Sequence, residues 1–272
     1  MMINFTKMHG ISNDFVVIDT TQQPFTPTMH LITAMANRKT GIGFDQLLLL
    51  HPTASQNADF DYTIYNADGS LASHCGNGAR CIGLYLKLKQ PSTDSFILQM
   101  SDRQIEVTHK QGQFTVNMGE PKFTIEPNYN TPVNNYHLTL NQQSVNFHVA
   151  NVGNMHAIIF TDRLNKYNLN ELGAEFNKHP SFPDGVNLSV AQIQSSTKIA
   201  LQVYERGVGI TQACGSAACA VMATAKMLEK VGNTTTIAQS GGNLSIQWKG
   251  PTHNLFMQGD AALVYHGVWP NN

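Results

Sequence analysis

The sequence predicts an α+β protein of two similar lobes, in each of which short strands curl around one apolar helix. Three observations predict it. Most of the chain breaks into short β-branched and aromatic runs, two apolar helices each open on a Cys-Gly pair, and the spacing of polar residues repeats after about 140 positions.

The helices come first in the argument. Ser73-His74-Cys75-Gly76-Asn77-Gly78 leads into Ile82, Leu84, Tyr85, Leu86 and Leu88, and this helix must stop before Pro91. Ala213-Cys214-Gly215-Ser216 leads in the same way into Ala220-Val221-Met222 and on to Leu228. In each case a thiol sits at a helix mouth, where free N–H groups and the positive end of the helix dipole favour the thiolate. Helices apolar on all sides are buried, which suits a sheet wrapped around each. An amphipathic helix is expected over Met29–Arg38 with Thr28 as its cap, and another over Glu171–Lys178.

Strands are expected at 15–18, 47–50, 61–65, 96–98, 105–107 and 114–116. The second half follows with 145–149, 157–160, 188–190, 199–204, 236–237, 244–248, 255–257 and 263–265. The two halves also match in their polar residues. Asn13 and Asn154, Gln46 and Asn187, and Asn66 and Glu205 stand at matching places before Cys75 and Cys214. This is the mark of an internal duplication. The expected division is 1–117 with 261–272 for the lobe of Cys75, and 118–260 for the lobe of Cys214. The two helix mouths are expected to face each other across the cleft between lobes.

Composition narrows the function. Lys and Arg number 17 against 18 Asp and Glu, a net charge of −1 that gives no electrostatic case for nucleic acid or an acidic membrane. Four cysteines in 272 residues are no disulfide framework. The opening residues carry no secretory pattern and no window is apolar enough to span a bilayer, so a cytoplasmic protein is expected. Neither a zincin motif nor a nucleotide-binding glycine loop is present, and neither a metal nor an organic cofactor is expected.

Two opposed thiols suit proton transfer at a carbon stereocentre. A thiolate on one face removes the proton, a thiol on the other delivers one, and the centre inverts. The first N–H groups of the helices, at Gly76, Asn77, Gly215 and Ser216, are suited to hold a carboxylate and absorb developing charge. Three other readings stay open. They are a proline racemase-like enzyme, a zinc site of Cys75, Cys81, Cys214 and Cys219, and a non-catalytic amino-acid binding module.

The motifs His9-Gly10 with Asn13-Asp14-Phe15, Gly41-Ile42-Gly43-Phe44-Asp45-Gln46, Asn66-Ala67-Asp68-Gly69-Ser70, Cys75-Gly76-Asn77-Gly78-Ala79-Arg80, Tyr204-Glu205-Arg206-Gly207 and Ala213-Cys214-Gly215-Ser216 together resemble the diaminopimelate epimerase family. The resemblance runs in order from residue 5 to about 260. It implies a cofactor-independent isomerase interconverting LL- and meso-diaminopimelate, two lobes each a mostly antiparallel β-barrel around a central helix, and a homodimer. By that resemblance Cys75 and Cys214 are the acid/base thiols and His156 and Glu205 assist them. Asn13, Gln46, Asn66, Asn154, Asn187, Glu205 and Arg206 would bind the substrate's charged groups. Ser12, Met155, Ile210 and Ala217 depart from the family pattern.

Overall fold

A computed structural model describes residues 2–72, 75–101, 103–123, 135–140 and 143–270. The chain divides into two compact units, Met1–Asn117 with Gln258–Asn272, and Met118–Met257.

In the first unit, β1 (Met2–Gly10) and β2 (Asn13–Asp19) form a hairpin closed by Ile11 and Ser12, both at positive φ (49° and 68°). Two-residue hairpin loops take this left-handed geometry because it matches the twist of the strands. Both loop residues thus carry side chains in the left-handed region that glycine takes most readily. Next come α1 (Met29–Ala36), β3 (Gln46–His51), β4 (Phe60–Asn66), α2 (Gly76–Lys89), β5 (Ser95–Gln99), β6 (Gln104–Lys110) and β7 (Gln113–Gly119). Thr28 caps α1 by accepting from the Leu31 N–H at 3.2 Å.

The second unit holds β8 (Tyr136–Leu140), β9 (Gln143–Asn151), β10 (Met155–Phe160), α3 (Leu169–Lys178), β11 (Asn187–Ser195), β12 (Lys198–Glu205), β13 (Gly209–Thr211), α4 (Gly215–Met227), β14 (Thr234–Gln239), β15 (Gly242–Gln247) and β16 (Leu255–Gly259). The last strand, β17 (Ala262–Pro270), returns to the first unit and pairs antiparallel with β1.

Each unit mixes antiparallel ladders with two parallel pairs. The pairs β2–β3, β4–β5, β10–β11 and β12–β14 are parallel, and a helix spans each crossover, as parallel neighbours require. The duplication extends to the register. Phe15 pairs with Gln46, and His156 pairs with Asn187 at the equivalent place. Phe60 pairs with Leu98, and Ile199 with Ile237.

Strands β2 and β3 are buried on both faces, so they read as near-continuous apolar runs rather than alternating ones. On one face Val16, Ile18, Leu47 and Leu49 pack with Ile32 and Met35 of α1. On the other face α2 lies against β1, β2, β5, β6 and β17. Glycines on α2 permit the close approach: a Cβ at Gly78 would stand 2.8 Å from the Tyr62 hydroxyl and 3.1 Å from Leu48. In the second unit α4 is surrounded by β9, β10, β11, β12, β14 and β15, and Ala217 through Ala225 are buried. Ala217 is therefore a core helix residue, where alanine's helix propensity is an advantage. The outer helix α3 places Leu172 and Phe176 against Val149, Ala157 and Leu188.

Candidate functional site

Cys75 is the N-cap of α2 and Cys214 the N-cap of α4. The Cys75 sulfur accepts from the Gly78 N–H at 3.4 Å, and the Cys75 carbonyl accepts from Ala79 at 2.9 Å. Geometry of this kind leaves the N–H groups of Gly76 and Asn77 without an intrahelical acceptor. Cys214 is capped differently. Its sulfur lies 3.4 Å from Ser216 Oγ and its own N–H donates to Gln239 Oε1 at 2.8 Å.

In the first unit Asn13 opens β2, Gln46 opens the parallel β3, and Asn66 closes the antiparallel β4, so all three stand at one end of the sheet. Asn13 Oδ1 faces Cys75 Sγ at 3.8 Å and accepts from Asn77 Nδ2 at 3.3 Å. Gln46 Nε2 donates to Asn66 Oδ1 at 3.0 Å, and Asn66 Nδ2 donates to Ser70 Oγ at 3.0 Å. Thus Asn13, Cys75 and Asn77 form one hydrogen-bonded group, and Gln46, Asn66 and Ser70 another.

The second unit ties its site residues more tightly. His156 Nε2 bonds Asn154 Oδ1 at 2.9 Å, and Asn154 Nδ2 donates to Ser216 Oγ at 3.3 Å, which leads to the Cys214 sulfur. Asn187 Nδ2 donates to the Met155 carbonyl at 3.1 Å, while its Oδ1 accepts the Arg206 N–H at 3.0 Å. The Arg206 guanidinium donates to the Asp184 carbonyl at 2.8 Å. Glu205 accepts from the Thr211 hydroxyl and also acts on the Cys214 thiol.

The easy ionisation expected of both thiols is corrected at Cys214. Burial, joined by the Glu205 carboxylate, pushes that thiol well above its ordinary range, and the bonds from Ser216 and the Ala217 N–H offset this only in part. His156 is completely buried and burial pushes it down to about 3, so it is neutral. Cys81 and Cys219 are fully buried core thiols, and burial pushes Cys81 far up.

Four buried polar atoms around these groups have no protein partner: Gln46 Oε1, Asn77 Oδ1, His156 Nδ1 and Gln239 Nε2. Buried polar atoms are normally satisfied, so the two in each unit mark that unit's own polar residues as suited to a polar ligand. Sequence reasoning missed Asp45, which accepts from Asn13 Nδ2 at 2.8 Å, although it adjoins Gln46. It also missed Gln239, Thr211 and Ser70. Nothing in the local sequence of Gln239 marks it, because β14 brings it to Cys214 from 25 residues away.

The family model for diaminopimelate epimerase matches residues 5–124 and 148–264. The chain is 42% identical over 275 residues to a diaminopimelate epimerase of Coxiella burnetii, covering 99% of each. It is 39% identical over 283 residues to one of Legionella pneumophila, covering 98% of this chain and 99% of that one. Among solved structures, a hydroxyproline epimerase from Agrobacterium vitis superposes with a TM-score of 0.73 at 13% identity, over 98% of this chain and 92% of that one. A PhzF-family phenazine biosynthesis protein from Bacillus anthracis superposes with a TM-score of 0.70 at 12% identity, over 99% of both. At such identities the structures show the shared fold alone. The sequence relatives go further: by the span of the family match and the identity to these epimerases, the chain belongs to the diaminopimelate epimerase family and is an isomerase.

Proposed function

We propose that the protein interconverts LL- and meso-2,6-diaminopimelate by a two-base thiol mechanism that needs no cofactor, on the route to lysine and peptidoglycan precursors. The observation that carries the reading is the pair of cysteine-capped helices at equivalent places of the duplication, each met by site amides. One thiolate removes the α-proton and the other thiol delivers a proton to the opposite face. The helix-start N–H groups at Gly76, Asn77, Gly215 and Ser216 hold the α-carboxylate and take up the charge that develops as the α-proton leaves. Asn13, Gln46, Asn66, Asn154, Asn187, Glu205 and Arg206 answer the substrate's two ammonium and two carboxylate groups, since charges taken out of water need partners. His156, kept neutral by burial, is linked through Asn154 and Ser216 to the Cys214 sulfur and assists that thiol by holding this hydrogen-bonded chain in place. The same reading carries a cytoplasmic homodimer.

The test is incubation of purified protein with LL-diaminopimelate, without added cofactor, followed by chiral analysis. Meso product is expected from the native enzyme. Cys75→Ser and Cys214→Ser are each expected to lose turnover by at least about 100-fold while remaining folded, because a serine hydroxyl is too weak an acid for either role. Full turnover in either variant would overturn the assignment of that thiol. No conversion by the native protein would overturn the substrate.

A further inference from the structure

Asp45 lies outside every role assigned so far, yet it is wired into the Cys75 group. One of its oxygens, Oδ2, accepts from Asn13 Nδ2 at 2.8 Å and from the Asp14 N–H at 3.1 Å. The other, Oδ1, accepts from Arg38 Nη2 at 2.7 Å. Arg38 Nη2 also bonds Asp14 Oδ1 at 2.7 Å, and Lys7 Nζ bonds Asp14 Oδ2 at 2.6 Å. Four charged groups thus lock one another beside the amide of Asn13.

A carboxylate only accepts hydrogen bonds, so it dictates which end of the neighbouring amide it meets. The NH2 group of Asn13 must turn to Asp45. Its carbonyl oxygen is thereby turned to Cys75 Sγ at 3.8 Å and to Asn77 Nδ2 at 3.3 Å. The same polarity passes on to Asn77, whose NH2 is engaged and whose buried Oδ1 is left as an acceptor at the start of α2. We propose that Asp45 is a positioning residue for the acid/base thiol: held by Arg38 and the Asp14 N–H, it fixes the Asn13 amide so that a carbonyl oxygen, not an NH2 group, faces Cys75. The proposal rests on the reading of Cys75 as an acid/base group, and adds what sets the polarity around it.

An acceptor beside sulfur favours the S–H form, and a donor would favour the thiolate. The orientation therefore sets how readily Cys75 gives up its proton. Two titratable groups that interact with Cys75 stay neutral. Tyr62 on β4 and Cys81 on α2 are fully buried, and burial raises both far enough to keep them neutral. Asp14 stays ionised, because its bonds and charge contacts with Arg38 and Lys7 outweigh its burial and hold it at about 2.

The test uses the full chain in a Cys214→Ala background, where turnover is not read. Alkylation of Cys75 by iodoacetamide, located by peptide mass spectrometry, is followed between about pH 6 and pH 10. In Asp45→Asn only one end can still accept; the charged Arg38 retains it in competition with the Asp14 N–H, the new NH2 group meets Asn13, and the Asn13 amide turns over and donates to the sulfur. The midpoint is expected to fall by about half a pH unit or more. Asp45→Ala, which frees the amide, is expected to move it the same way by less. Asp45→Glu keeps a pure acceptor and is expected to hold the parent midpoint. An unmoved midpoint in both Asp45→Asn and Asp45→Ala would overturn the proposal, and so would Asp45→Glu shifting as far as Asp45→Asn. Failure of the native enzyme to epimerise would instead sink the role of Cys75 and leave the alkylation result standing.

Discussion

Cys214 is held between opposed influences. Burial and the Glu205 carboxylate favour its S–H form, while Ser216 and the Ala217 N–H favour the thiolate. Removing the carboxylate's charge should tip the balance. Glu205→Gln is expected to speed alkylation of Cys214 in the ligand-free enzyme at neutral pH several-fold, even as epimerisation falls. An unchanged alkylation rate would show that Glu205 does not act on this thiol. His156 makes a second residue-level prediction, in stability. Its folded pKa is pushed by burial to about 3, below an unfolded value of about 6.5, so the unfolded chain binds the extra proton first. The stability it contributes is complete above about pH 6.5 and is lost as pH falls toward 3. By about pH 5 the loss is about 2 kcal/mol. Denaturant titrations at several pH values should show this slope, and His156→Gln should flatten it. At this scale much of the candidate site was legible, because the duplication picks out Asn13, Gln46, Asn66, Asn154, Asn187 and Glu205 in matched pairs. What was not legible was polarity. Whether an amide offers its oxygen or its nitrogen depends on partners such as Asp45, which only the fold brings near.

At the level of elements, α2 shows how packing overrides propensity. Gly83 lies mid-helix, where alanine is normally preferred. A Cβ there would stand 2.5 Å from Val107 Cγ1 and 3.0 Å from Phe114 Cδ1, and the β-branched Val107 side chain has little freedom to give way. Gly83→Ala is therefore expected to destabilise the protein by about 1–3 kcal/mol, measured by urea denaturation. A stabilised variant would mean that α2 stands farther from β6 and β7 than described. The helices themselves were readable, since the α1 cap at Thr28 and the starts of α2 and α4 carry local signals. Strands β1, β8 and β13 escaped. β1 interrupts its apolar pattern with Lys7, whose burial is met by Asp14 and the Gly43 carbonyl. Both β8 and β13 are short, and their register comes from β9 and β12 rather than from their own sequence.

Over the whole molecule, the repeated register is the strongest support for a shared design. Gln46 meets Phe15 as Asn187 meets His156, and each half delivers a cysteine to the mouth of its buried helix. The spacing of polar residues exposed the repeat in the sequence because paired strands must keep their register to bury the correct faces. The mixed sheet was less legible, since parallel pairing depends on crossovers that periodicity does not reveal. The central claim is that two thiols, one from each half, work on opposite faces of one carbon. It is tested most directly by running LL-diaminopimelate in D2O and stopping at low conversion, with mass spectrometry of each separated isomer. The account predicts deuterium at the α-carbon of the meso product from the first turnovers. Recovered LL-substrate should stay largely unlabelled, because the thiol that took the proton returns it on reversal. Equal deuterium in the two isomers would contradict it.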